Sequence, residues 1–282
     1  MRALITGASG FTAHHLIELI ALKPEHELYL SDCVSGGPGN ILNCDLTQKG
    51  QVEELIGKTR PERIYHLAGS FTNNYDIDYP VNVLSTKNIL DALLKFKVPS
   101  RVLLIGSSAE YGFIDAQDNP VNEAHPLQPS RIQGLTKVYQ TYLMNFYYKV
   151  YQMDIVMART FNLFGDNKRV SKLLFIGRIR EQIEKIKKGE ISKILTGDLE
   201  TKRDYIDVRE AVKYYQKIME RGTPGEAYNV GSGKCIKMRD ILIQLLEEEG
   251  LDMKVVEERA SAVPDKTDIP EIRADLRKIK GL

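Results

Sequence analysis

At 282 residues, 43% hydrophobic, the chain can bury one large core or two smaller ones, and its 39 basic and 38 acidic side chains leave a net charge of only +1. That balance argues against a nucleic-acid or membrane-surface role, which would show a basic excess. No apolar run approaches the roughly 18 residues a membrane span needs, no signal-like segment precedes the first strand, and the three cysteines (Cys33, Cys44, Cys235) are scattered, so a soluble cytosolic protein with reduced thiols and no bound metal is expected.

Arg2 to Thr6 is a short apolar run, Gly7-Ala8-Ser9-Gly10 a glycine turn, and Phe11 to Ile20 a helix with Leu16, Ile17, Leu19 and Ile20 as its buried stripe. Strand, glycine turn and helix together make an anion trap, because glycine lets the backbone approach a ligand and the free N–H groups of the helix start face it. The spacing Gly7-x-x-Gly10-x-x-Ala13 suits a dinucleotide diphosphate. Glu27 to Asp32 is a second strand ending in a carboxylate about twenty residues further on, where a ribose hydroxyl needs an acceptor. No Arg or Lys follows Asp32 immediately, which leans toward NAD(H) over NADP(H), with the latter possible.

Cys33 to Asn40, with Gly36, Gly37, Pro38 and Gly39, reads as a loop. Asp45, in Asn43-Cys44-Asp45-Leu46-Thr47, either caps the helix Gln48 to Gly57 or hydrogen-bonds an adenine amino group. Arg63 to Gly69 is a third strand ending in small residues, with His66 expected as a satisfied core residue. Val83 to Phe96 is helical, Arg101 to Ile105 a strand stopping at Gly106-Ser107-Ser108, and Pro120 to Pro129 a loop bordering a cleft. Gly134 to Tyr151 is a long helix with Lys137 in its first turn, and Asp154 to Thr160 a further strand.

This alternation of near-continuous apolar strands with helices predicts an α/β fold, a doubly wound parallel sheet whose ligands bind beyond the carboxyl ends of its strands. After Gly165 the alternation breaks down: a helix Leu173 to Lys188, a strand Lys193 to Thr196, and Arg203 to Val208 returning toward the sheet. Residues 1–164, with 203–231 returning to them, are expected to form the cofactor domain, and 165–202 with 232–282 a smaller C-terminal substrate-binding lobe.

Several pieces in this order carry a resemblance: Gly7-x-x-Gly10-Phe11-Thr12-Ala13, Asp45-Leu46, His66-Leu67-Ala68, Asn82-Val83 with Thr86-x-Asn88-Ile89-Leu90, Ser107-Ser108-Ala109-Glu110-Tyr111-Gly112, Arg159-Thr160-Phe161-Asn162, Arg203-Asp204-Tyr205-Ile206-Asp207-Val208 and Tyr228-Asn229-Val230-Gly231-Ser232-Gly233. The chain resembles the extended short-chain dehydrogenase/reductase family of nucleotide-sugar-modifying enzymes over essentially its full length. Gly197 to Asp204 and Asp268-Ile269-Pro270 look most like the GDP-4-keto-6-deoxy-mannose reductases and GDP-mannose dehydratases of that family.

The resemblance implies a Rossmann-type domain holding a nicotinamide dinucleotide through Gly7, Ser9, Gly10, Phe11, Thr12, Asp32, Asp45, Leu46, Leu67, Ala68, Gly69, Asn82 and Lys137. It implies a GDP-sugar held by Glu110, Asn162, Arg178, Arg203 and Asp268, with the two arginines on the diphosphate. Family chemistry uses Ser/Thr, Tyr and Lys; Ser107, with Ser108 beside it, fits the hydroxyl and Lys137 the lysine, but the tyrosine's place is Gln133. A phenol beside an ammonium can pass a proton to a carbonyl oxygen, whereas a carboxamide has none to release near neutral pH.

Dehydratases of the family carry an acidic residue two positions after the catalytic hydroxyl, where this chain has Ala109, so reductase is preferred over dehydratase. The expected activity is reduction of a GDP-linked 4-keto-6-deoxy-hexose, slowed by Gln133. The alternatives are a nucleotide-sugar 4-epimerase and a catalytically silent nucleotide-sugar-binding protein. A homodimer through Val83 to Phe96 and Gly134 to Tyr151 is expected from the family.

Overall fold

A computed structural model of the chain describes residues 1–22, 25, 27–34, 41–165, 172, 174–259 and 269–282. Asp268, residues 36–39 and the expected helix start at 173 lie outside the described residues.

The main sheet contains β1 (Arg2–Thr6), β2 (Glu27–Asp32), β3 (Ile41–Asn43), β4 (Arg63–His66), β5 (Arg101–Ser107) and β6 (Ile155–Thr160). It is completed by a strand from later in the chain, Ala227–Val230, and every neighbouring pair is parallel. From one edge the order is β3-β2-β1-β4-β5-β6 and then Ala227–Val230, so the chain winds away from β1 in both directions. That reversal beside β1 is where a doubly wound sheet opens a crevice at its carboxyl edge.

Alternate residues serve opposite faces, which is why the strands read as unbroken apolar runs. Ile5, Tyr65, Leu103 and Val156 join one buried cluster with α1 (Phe11–Ala21), and Leu4, Ile64, Val102 and Ile155 join the other with α2 (Lys49–Thr59). A short α3 (Tyr75–Tyr79) runs through a wide turn, Pro80–Leu84, into α4 (Ser85–Lys95), so the helical stretch begins before the expected Val83. The long α5 (Ile132–Tyr151) packs on the α2 and α4 side.

Gly7 shows how tightly the first turn is built. Its φ is +67°, and a Cβ there would lie 2.7 Å from both the nitrogen and the Cα of Ala68. Gly7→Ala is therefore expected to cost more than the roughly 1–2 kcal/mol of a left-handed conformation alone, read as a lowered urea midpoint with unchanged slope.

The remaining strands are β7 (Asn162–Phe164), β8 (Ile194–Thr196), β9 (Lys202–Asp207), β10 (Ala227–Val230, the main-sheet strand named above), β11 (Cys235–Lys237), β12 (Val256–Glu258) and β13 (Glu271–Ile272). The expectation that Arg203 to Val208 returns to the main sheet is corrected: β9 pairs with β7, β11 and β13 in a separate sheet. Its alternation cannot say which sheet it joins, since the pleat is the same in both. The helix after it, α7 (Val208–Arg221), does reach the main sheet, packing beside α1. A third core gathers α6 (Phe175–Lys187), α8 (Met238–Glu247) and Tyr205, and the described chain closes with α9 (Arg277–Lys280). No helix among the described residues is long and apolar enough to cross a membrane.

Candidate active site

The turn after β1 is shaped for an anion. Gly10 sits at the N-cap of α1 with no side chain capping the helix and no acidic residue in its first turn, so its leading N–H groups remain available. The Gly10 N–H donates to the Gly7 carbonyl at 3.0 Å, closing the turn. Asp32, at the end of β2, is drawn in by Ser9, whose N–H and hydroxyl donate to one carboxylate oxygen at 2.9 and 2.6 Å, while the Cys33 N–H reaches the other at 2.7 Å. Burial opposes its ionisation, but these donors outweigh burial and its pKa lies below the ordinary value. The result is a fixed negative charge beside an uncapped helix start, which suits a diphosphate followed by a ribose. Phe11 and Thr12 open α1 at half-buried positions.

Asp45 and Leu46 are committed largely to structure. Asp45 does not cap α2, whose N-cap is Gln48 with no side-chain bond: one Asp45 oxygen instead accepts the Thr47 N–H and hydroxyl at 2.9 and 2.8 Å in a local turn, and the Leu46 carbonyl accepts from Asn88 at 2.9 Å. His66 is the satisfied core residue expected: buried between Thr6 and Thr86 hydroxyls at 2.8 and 3.1 Å, it is held neutral by burial and by the Lys137 charge, its pKa pulled down to about 3.

Beyond the carboxyl ends of β4 and β5 the elements that carry Ser107, Gln133 and Lys137 pack together. Ser107 ends β5 and caps a single 3-10 turn, Ser108–Glu110. A Cβ on Gly134 would lie 2.3 Å from the Ala109 carbonyl, so the start of α5 presses directly on this turn and only glycine permits it. Gln133 is therefore beside the serine turn, half-buried, and among the described residues its carboxamide has no hydrogen-bond partner. Lys137, one helical turn on, is 8% exposed and donates to the Ile105 carbonyl of β5 at 2.8 Å. A Cβ added at Gly69, after β4, would sit 3.4 Å from its Nζ. Burial pulls the Lys137 pKa down to about 8, against the charges of Glu110 and Asp78, which hold it up. Leu67 and Ala68 line the same edge, half-buried.

The helix begins at Ile132, two residues before the expected Gly134, which puts Lys137 in the second turn. The cause is a cap that sequence reading missed: Asn73, at φ +62°, accepts the Ile132 N–H at 2.8 Å with its side-chain oxygen. Asp78, wholly buried, holds that segment by accepting from Ser70, Thr72 and the Asn73 N–H. The Ser70-Phe71-Thr72-Asn73-Asn74 run is rich in turn formers, and that was the available signal. Asn82, expected at the cofactor, is also wholly buried, clasping Ser70 from both sides and donating to Thr136 at 2.9 Å.

Glu110, expected at the substrate, is corrected by its burial. Its carboxylate accepts the Ser107 N–H at 2.8 Å, the Thr141 hydroxyl at 2.6 Å and the Arg159 guanidinium at 3.2 Å, so it braces the serine turn from inside. Arg159 also donates to the Tyr111 hydroxyl, which donates to Asn229 at 2.6 Å; burial pushes the Tyr111 phenol up to about 12 despite that guanidinium. A second knot forms at Asp204, whose carboxylate accepts from Ser232, Gly233 and Ala274. Asn162 donates to the Asp204 carbonyl at 3.0 Å, placing it at the junction of β7 and β9.

Arg178, exposed on α6, and Arg203, on β9, come into one neighbourhood: both positive charges oppose the rise of the buried Tyr205 phenol to about 12. Arg203 donates to the carbonyls of Lys202 and Ile269, while Arg178 makes no ion pair among the described residues.

A doubly wound sheet with an anion-binding glycine turn at its switch point, and a serine, a lysine and a carboxamide gathered beside it, defines a dinucleotide-dependent enzyme of the short-chain dehydrogenase type. The chain belongs to the NAD dependent epimerase/dehydratase family, whose model matches residues 3–231. It is 25% identical over 290 residues to a putative UDP-glucose 4-epimerase of Methanocaldococcus jannaschii, covering 99% of this chain and 91% of that one. It is also 25% identical over 290 residues to the GDP-6-deoxy-D-mannose reductase of Pseudomonas aeruginosa, covering 99% and 88%. The solved structure of RMD from Pseudomonas aeruginosa complexed with NADPH superposes with a TM-score of 0.84 at 22% identity, covering 99% of this chain and 91% of that chain. The family's cofactor is a nicotinamide dinucleotide, and the open helix start, Gly7 and the Asp32 carboxylate fit one.

Proposed function

We propose that the protein is a reductase of a nucleotide-linked 4-keto-6-deoxy-hexose, with a GDP-sugar as substrate. The observation that carries this reading is the close approach of Gly134 to the Ala109 carbonyl, which sets the start of α5, bearing Gln133 and Lys137, against the turn that Ser107 caps, with alanine where a dehydratase needs its base. In this reading the bound nicotinamide supplies hydride to C4. The Ser107 hydroxyl donates to the keto oxygen, and the Lys137 ammonium holds the nicotinamide ribose and adds positive charge near the oxygen that becomes negative. Gln133 can hydrogen-bond that oxygen but cannot protonate it. Arg178 and Arg203 take the diphosphate; Arg178, exposed and with no ion pair among the described residues, supports that role.

The test offers GDP-4-keto-6-deoxy-mannose with NADH or NADPH. Stoichiometric cofactor oxidation with formation of a deoxyhexose supports the reductase. Interconversion of UDP-glucose and UDP-galactose without net oxidation replaces it by an epimerase, and tight binding of both ligands without turnover replaces it by a silent binding protein.

Asp32 supports a preference for NAD(H), because an ionised carboxylate accepts ribose hydroxyls and repels a 2′-phosphate. Asp32→Ala is expected to weaken NADH binding on the order of tenfold, about 1.4 kcal/mol, while weakening NADPH less, as read by fluorescence titration.

A homodimer fits the outer face of α5, where Tyr142, Phe146, Val150 and Tyr151 are 48–61% exposed and adjoin Tyr75. Such an aromatic patch is costly to leave in water and suits a symmetric partner. Tyr142→Asp is expected to convert a dimer to a monomer in sedimentation velocity. A cytosolic location fits the three free cysteines.

A further inference from the structure

The reduction proposed above leaves one proton to be found. Among the described residues around the serine turn, most acids are disqualified by their surroundings. Tyr111 is wholly buried with its hydroxyl engaged by Asn229 and Arg159. Glu110 is wholly buried and occupied by three donors. His66 is neutral between two threonine hydroxyls. Tyr139 turns to the outer face, its ring edge-on to Tyr79 at 6.2 Å. Serine hydroxyls can relay a proton but do not ionise in the accessible range.

Lys137 differs from all of these. It lies on the same helical face as Gln133, four residues on, and its ammonium forms one hydrogen bond, to the Ile105 carbonyl, and no ion pair among the described residues. The titratable groups around it come from three elements: the charged Glu110 on the serine turn and Asp78 on α3, and the neutral His66 on β4. Neither carboxylate is within ion-pairing distance, and both are saturated with other donors, so two N–H bonds of the ammonium are unclaimed among the described residues.

We propose that Lys137 itself supplies the proton to the substrate oxygen, past the shorter Gln133 side chain, taking over the part a tyrosine plays elsewhere. The inference rests on the reductase reading. As hydride reaches the carbonyl carbon, the C=O π pair moves to oxygen. One N–H bond of the ammonium breaks and an O–H bond forms, directly or across one water. The carbonyl carbon is reduced, the dinucleotide is oxidised, and the neutral amine left on Lys137 regains a proton from solvent. Its pKa near 8 suits a donor that must recharge at neutral pH. Since the donor must be protonated, reduction is expected to be full below about pH 8 and to fall as pH rises through that value.

Lys137→Arg keeps the charge and its hydrogen bonds but holds a proton too firmly to release it. Turnover in this variant is expected to fall by about a hundredfold or more with NADH affinity changed only a few-fold, and the same substitution in a Gln133→Tyr background is expected to cost far less. A readout independent of turnover is acetylation of Lys137 by acetic anhydride, followed by peptide mass spectrometry. Relative to its own rate at high pH it should be half-maximal near pH 8, against about 10.4 for surface lysines. Turnover that survives Lys137→Arg, or acetylation that follows the surface lysines, overturns the proposal alone. NADH binding without reduction by either the wild type or Gln133→Tyr overturns the reductase reading, and this inference with it.

Discussion

Gln133→Tyr is expected to raise turnover of the keto-sugar on the order of a hundredfold, the lower end of what a positioned acid contributes, because Lys137 already supplies part of that function. A phenol at this position would sit one helical turn before the Lys137 ammonium and beside the Ser107 turn, since the Gly134–Ala109 contact fixes the start of α5. The ammonium would favour phenolate, and the enlarged rate should come with a changed pH profile, as the proton then leaves oxygen. Steady-state cofactor oxidation across pH 6 to 10 measures both. An unchanged rate would remove position 133 from the proton's route.

Arg159→Met is expected to be the most damaging single change to stability, costing about 3–5 kcal/mol. Arg159 is 2% exposed and Glu110 wholly buried, so the variant leaves a carboxylate in the interior with only the Ser107 N–H and the Thr141 hydroxyl for company. The stacking of the guanidinium over the Tyr111 ring, 4.8 Å from its centre, is lost as well. Combining it with Glu110→Gln removes the stranded charge and should restore much of the loss. Urea unfolding of the two single variants and the double variant gives the coupling directly; additive losses would show that the pair does not act as a unit.

The strands were legible where the run is long enough to carry a pattern. β1 and β2 fall at Arg2–Thr6 and Glu27–Asp32 as the apolar runs indicate, whereas β3, three residues long after a glycine-rich stretch of sequence, carries too little pattern to be seen. The start of α5 was misread because its cap comes from Asn73, far back in the chain, and glycine at 134 looks like a boundary when it is a point of close packing. The same blindness to direction affected the polar motif residues. Glu110, Asp204 and Asn229 are recognisable by their spacing, but a sequence cannot say whether a carboxylate or amide turns to the ligand or to the interior. All three turn inward. Asp32 ends β2 and Lys137 bonds the Ile105 carbonyl of β5, because the end of a strand and the opening turns of a helix restrict where a side chain can go.

The carboxamide of Gln133, unengaged among the described residues, has an evolutionary consequence. The start of α5 and the serine turn are held by Asn73, Asp78, Gly134 and the Glu110–Arg159 knot, none of which hydrogen-bonds the position-133 side chain. Catalytic rate and foldedness can thus drift separately: a lineage could lose or regain the acid by one codon change while melting behaviour stays flat, and a thermal scan of such variants would look silent even as their reaction speeds diverge.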